Sequence, residues 1–333
     1  MKTLTLITVF ALGCCPVAHA DETLPGKFVA EKSAPATQST KPKRWLLLCC
    51  GLPDDDGQRE RLTAACTKII ASAEPTLSVS SEHLQVLAGD EEMQEALSKS
   101  TSTVGVCTKK TVRASLAQLC EQVPADGACW IVILGHAHLY GTKSQFNVLD
   151  TDFDQKEFGE WLKPLACAEQ VVIMTTPISG FWIKPLRTTS RVVVTATEAD
   201  LEYTGTEMPY ALADVLAGEG EHAKLQDIDQ DGSVSLLDLY LAANLEIHGR
   251  FMALDRLQTE HALLDDNGDG RGSELQFPYL PVDEEESSEE DAKDDTENSE
   301  AVEKPAVELL KSISNKNLDG FRSRHLLLRQ PAE

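Results

Sequence analysis

Two short apolar runs stand out in the middle of the chain. Trp130-Ile131-Val132-Ile133-Leu134 stops at Gly135-His136, and residues 170–176 (QVVIMTT) stop at Pro177-Ile178-Ser179-Gly180. A continuous apolar run bounded by turn residues is the pattern of a strand buried on both faces of a parallel sheet. Three more segments read the same way: 44–51 (RWLLLCCG), 83–89 (HLQVLAG) and 191–196 (RVVVTA). Between them the spacing changes to a helical one. Residues 59–71 place Leu62, Ala65, Cys66 and Ile69-Ile70 on one face. Residues 110–123 do so with Val112, Leu116, Leu119 and Val123, behind Thr111 as N-cap. Helices are also predicted over 155–165 and 208–217. Strands alternating with helices imply an α/β fold, a mostly parallel sheet with helices on both faces, over residues 44–220.

The pattern changes on either side of this unit. Residues 1–20 have a lysine, an apolar stretch and Ala18-His19-Ala20, the layout of an export signal cleaved after Ala20. Lipid attachment at Cys14 is the minor alternative. Either route leads to an exported protein, periplasmic, envelope or secreted, with no transmembrane segment once the signal is gone. Residues 21–43 are rich in Pro, Ser, Thr and Lys and predict a disordered linker. Residues 221–280 are Asp-rich and include a long helical pattern over 239–257. Residues 281–304 are an acidic run, and 305–333 a tail with some helical spacing.

Charge and cysteine content narrow the function. The net charge of -24 opposes nucleic-acid binding, which needs Lys and Arg against phosphates. Of nine cysteines, two lie in the signal. The seven that remain are an odd number, so export would leave at least one thiol free or paired between chains. None has zinc-site spacing.

In open α/β sheets ligands gather outside the carboxyl ends of the strands. His136 and Ser179 stand at two such ends. The two strand ends resemble the legumain and caspase-like cysteine peptidases, in which a Gly-His-Gly step ends one strand and a Cys with a small pair ends its neighbour. The likeness extends over roughly 44–217 and is nearest to a bacterial branch with a degenerate second motif. It implies a His/Cys dyad. Here Gly135-His136-Ala137 matches the first motif except for its last residue. The nucleophile's place falls on Pro177, and no cysteine follows Cys167. Proline has neither a thiol nor a backbone N–H. Loss of one oxyanion donor alone typically costs about 100- to 1000-fold in rate. The resemblance therefore implies a pseudo-peptidase, with His136 left without its thiol and the cleft free to hold a peptide or protein ligand. An active hydrolase using Ser179, Thr175 or Thr176 with His136 is the alternative. It requires an orienting acid, for which Asp150, Asp152 and Asp154 are the candidates. A structural envelope or surface protein with a closed cleft is the third reading.

The Asp-rich segments point to calcium. A twelve-residue EF-hand loop sets oxygen ligands at positions one, three, five, seven, nine and twelve, with glycine sixth. Asp227, Asp229, Asp231, Ser233, Ser235 and Asp238 fall on those positions, with Gly232 sixth and Val234 eighth. Asp238 is shorter than the usual Glu. A second loop offers Asp265, Asn267 and Asp269, with Gly270 sixth, but reaches uncharged Gln276 at its twelfth position. It is expected to be half built and paired with the first, with Asp266 as the alternative donor. Asp283–Glu303 suggests a solubilising tail, calcium buffering or attraction to a basic partner.

Overall fold

The apolar runs become strands because both of their faces are covered. In the computed structural model, which describes residues 42–199, 205–281 and 315–331, β1 (Arg44–Cys50) and β4 (Ala128–Leu134) are buried at every position. So are β8 (Glu169–Met174) and β9 (Arg191–Thr195). Alternate residues feed opposite apolar layers. Leu46, Leu48, Trp130, Val132, Val171, Ile173, Val192 and Val194 face one layer. Leu47, Cys49, Ile131, Ile133, Val172, Met174 and Val193 face the other. Strand geometry, with successive side chains on opposite faces, produces this division.

Six strands run parallel. They are β3 (Val104–Val106), β2 (Leu84–Ala88), β1, β4, β8 and β9 in spatial order. A seventh, β10 (Leu263–Asp265), pairs antiparallel with β9. The first layer is completed by α1 (Asp56–Ser72), α2 (Glu91–Leu97), α6 (Met208–Ala217) and α7 (Leu236–Ala253). The second is completed by α3 (Lys109–Gln122), α4 (Gln155–Leu162) and the short α5 (Ile183–Leu186). The expected α/β architecture is thus present.

Several details differ. The cap of α3 is Thr108, with Thr111 three residues on completing a capping box. Residues beyond His136 form a small antiparallel sheet, β5 (Ala137–Tyr140), β6 (Lys143–Phe146) and β7 (Phe153–Asp154). His138 lies on β5, and its Nδ1 is 2.6 Å from Asn147 Oδ1. Helix α7 begins at Leu236, earlier than its periodicity predicts, because Ser235 and Asp238 build a capping box there. It packs into the same layer as α1 and α6, so the Asp-rich segment shares the core of the sheet domain. The predicted signal, the linker up to residue 41 and the acidic run lie outside the described residues.

Candidate functional site

The β4 and β8 exits do lie side by side. Ile133 pairs with Met174, and Thr175 N and Oγ1 both donate to Ile133 O at 2.9 Å. Gly135 follows with φ +128°, and a Cβ there would come within 3.0 Å of Gly51 N. Only glycine allows β4 to leave the sheet so close to β1. His136 is next, one quarter exposed, with Nδ1 3.8 Å from Asp54 Oδ2. The acid beside the ring thus comes from the β1–α1 turn, not from the expected trio. Asp150 accepts from Lys109 N, Asp152 accepts from Val148 N, and Asp154 caps α4.

On the β8 side the chain turns sharply. Pro177 is followed by Ile178 at φ 55°, ψ 24°, fully buried. A β-branched residue in the left-handed region is strained, and such strain persists only where the surroundings enforce it. The enforcement is visible at Ser179. Its N–H donates to Thr197 Oγ1 at 2.9 Å, and its Oγ accepts from Ala196 N at 3.0 Å and Thr197 N at 3.1 Å. Ser179 is fully buried. With its oxygen occupied by two backbone donors, it ties the turn to the end of β9 and has no free lone pair with which to attack a carbonyl. Thr175 is engaged with Ile133, and Thr176 Oγ1 is buried without a partner. Ser179 and Thr175 are thus engaged elsewhere, and among the described residues no hydroxyl is hydrogen-bonded to His136.

Among the described residues no thiol is hydrogen-bonded to the ring either. Cys50 and Cys66 belong to one apolar layer, and Cys49, Cys107, Cys129 and Cys167 to the other. Cys120 is half-buried against the second layer. The Cys50 thiol is held well above its usual range, first by its contact with Cys66 and then by burial. Contact with Cys49, followed by burial, does the same to Cys107. Burial pushes Cys167 up to about 11. These are the properties of inert thiols. His136 borders a cavity of about 260 Å³ shared with Asp55, Arg61, Thr206 and Tyr210. Arg61 lies 3.7 Å from the Tyr210 ring centre and pairs with Glu207 at 2.9 Å.

The first Asp-rich loop brings together three of its six expected ligands. Oxygens of Asp227, Asp229 and Asp231 all lie within 4.8 Å of one another. Gly232 makes the turn at φ +93°. Ser235 and Asp238 are used differently. Asp238 is buried, accepting from Ile228 N at 2.7 Å through one oxygen and from Ser235 N at 2.9 Å and Ser235 Oγ at 2.8 Å through the other. Burial pushes its carboxyl up to about 6. Ser233 donates its N–H to Asp231 Oδ1 at 2.9 Å. An all-oxygen donor set suits a hard cation such as calcium. Asp227, Asp229, Asp231 and the Ser233 carbonyl are the groups that would hold it.

The second loop closes on itself. Asp265 accepts from Gly268 N and Gly270 N, both at 2.9 Å, and Asn267 and Asp269 accept from backbone N–H groups two residues on. Gln276 turns into the core, donating to Ala262 O at 3.1 Å and accepting from Tyr240 Oη. It is therefore no twelfth ligand. The loop does not pair with the first as expected. The first loop's partner is the tail: Leu328 N donates to Val234 O and Leu236 N to Leu326 O, both at 2.9 Å.

The tail also carries a feature that the sequence reading missed. Asn315-Lys316-Asn317-Leu318-Asp319-Gly320 repeats the Asx spacing, again with its glycine at positive φ (90°). The recurrence of x-Asn-x-Asp-Gly after Asp265–Gly270 was the available signal. Asp319 accepts from Asp266 N at 3.0 Å, and Asp266 accepts from Gly320 N at 3.1 Å and Ser323 N at 2.7 Å. The second and third loops thus cap each other. Arg324, four residues beyond Gly320, sits on the triad, 2.8 Å from Asp229 Oδ2 and 3.5 Å from Asp231 Oδ2.

No protein-family model matches the chain, and no curated protein matches it by sequence. Solved structures do. Caspase-1 from Spodoptera frugiperda is similar at 10% identity, covering 71% of this chain and 93% of that one, with a TM-score of 0.42. Pro-sf-caspase-1 is similar at 10% identity, with 67% and 88% covered and a TM-score of 0.38. Protein GSU0716 from Geobacter sulfurreducens is similar at 10% identity, with 52% and 81% covered and a TM-score of 0.35. Likeness of this degree says nothing about chemistry, which the side chains at the strand ends decide.

Proposed function

We propose that the chain is an exported, calcium-binding protein whose peptidase-like sheet holds a peptide or protein ligand without cleaving it. The observation that carries this reading is Pro177 at the β8 exit, where the resemblance would place a thiol, with Ser179 Oγ already held by two backbone N–H groups. His136, its neighbour Asp54 and the adjoining cavity are left as a polar recess suited to binding. Calcium at Asp227, Asp229 and Asp231 would neutralise three converging carboxylates beside the start of α7, and so fix one wall of the helical layer. Among the described residues no helix is long and apolar enough to cross a membrane.

The test is incubation of the full chain with a peptide library in calcium, followed by mass spectrometry. Peptides are expected to be retained and recovered intact. Cleavage that disappears in His136→Ala would overturn the non-catalytic half. Titration calorimetry is expected to find calcium binding that Asp227→Ala abolishes. No heat of binding in the unaltered chain would overturn the calcium half.

A further inference from the structure

A second cleft, of about 790 Å³, lies between α4, α5, β10 and the second Asp-rich loop, and shares no lining residue with the His136 cavity. Its charge is unusual for a chain of net charge -24. Lys156, Lys184, Arg187 and Arg271 line it, all four exposed. Its one lining carboxylate, Glu160, is paired with Lys163 at 2.6 Å. Arg187 reaches only the Asp269 carbonyl, at 3.5 Å. Among the described residues no carboxylate is placed against any of the four cations. Positive charge gathered in a concave site focuses attraction for an anionic partner.

The chain itself supplies that partner. Asp283–Glu303 holds twelve carboxylates against one lysine, and very few apolar side chains. The described chain leaves at Pro281 and returns at Asn315. The return is tied to the two segments that carry Arg187 and Arg271. Asn267 Nδ2 donates to Asn317 O at 3.1 Å, and Arg322 donates to Thr189 O, two residues from Arg187. The acidic run is thus joined through residues 304–314 to chain anchored near the cleft, a link that spans at most about 40 Å. Tethering gives a segment an effective concentration of about millimolar order, which a free acidic peptide would have to exceed. We infer that the acidic run Asp283–Glu303 docks intramolecularly on the cleft formed by Lys156, Lys184, Arg187 and Arg271. The match is one of charge, so the contact weakens as salt shortens the Debye length from about 10 Å at 0.1 M to about 3 Å at 1 M.

Zero-length carbodiimide coupling of the full chain, at low salt and low protein concentration, tests this with mapping by mass spectrometry. Amide links are expected within one chain, from Lys156 and Lys184 to carboxylates of 283–303. They should exceed those from exposed Lys99 and Lys110 about tenfold. They should vanish at high salt and in the Arg187→Glu, Arg271→Glu double variant. A labelled oligoglutamate peptide should bind about tenfold more tightly once the run's carboxylates are replaced by amides. Links spread evenly over Lys99 and Lys110, links only between chains, or equal oligoglutamate affinity for both proteins would each overturn the inference.

Discussion

Asp231→Asn should change sign with calcium. Three carboxylates with oxygens within 4.8 Å repel by about 0.9 kcal/mol per pair even at the dielectric of bulk water. Removing the Asp231 charge abolishes two of the three pairs, a relief of about 2 kcal/mol. It also loses the 3.5 Å contact with Arg324, a partly exposed pair worth roughly 0.2–1 kcal/mol. Asparagine keeps an oxygen for the Ser233 N–H, so the turn is preserved. In excess chelator the variant should therefore be more stable by about 1 kcal/mol, or roughly 2–4 °C in Tm for a domain of this size. In calcium at a hundredfold over Kd the unaltered protein gains about 2.7 kcal/mol, most of which the variant forgoes. The order of the two melting curves should then invert. Thermal unfolding of both proteins, with chelator and with calcium, reads this directly. The same order in both conditions would refute the idea that these carboxylates are gathered for a cation.

Two further outcomes follow from buried charge. Arg44 and Glu169, with side chains 4% and 8% exposed, are joined at 2.8 Å, and Arg44 also donates to Leu77 O and Leu327 O at 3.0 Å. Glu169→Gln leaves the guanidinium buried and uncompensated, so urea unfolding should show a loss of about 3–5 kcal/mol; a loss under about 1 kcal/mol would contradict it. Burial raises Asp238 and Asp265 to about 6, above the unfolded value of about 3.9, so the folded state binds more protons between those values. In chelator, stability should accordingly fall as pH rises from about 4 to about 6 and then level off. A urea midpoint that instead climbs through that window in chelator would count against the buried carboxyls.

The strands were legible because burial on both faces leaves a run without polar interruption, as in Trp130–Leu134, and because Gly, Pro and β-branched residues mark its length and ends. The proline at the β8 exit and the spacing of Asp227, Asp229 and Asp231 were likewise written in residue order. Contacts between distant segments were not. Asp54 beside His136, Ser179 tied to the β9 end, and Cys50 set against Cys66 depend on which strands and helices become neighbours. The second loop shows the limit most plainly. Its Asp and Gly positions fit a calcium site, yet Gln276 is drawn into the core by Tyr240, and the place expected for that loop beside the first is taken by Leu326–Leu328. Local spacing fixes where a side chain can point along its own segment. Only packing decides which distant backbone or carboxylate it meets, because a buried polar group must take the partner the fold brings to it.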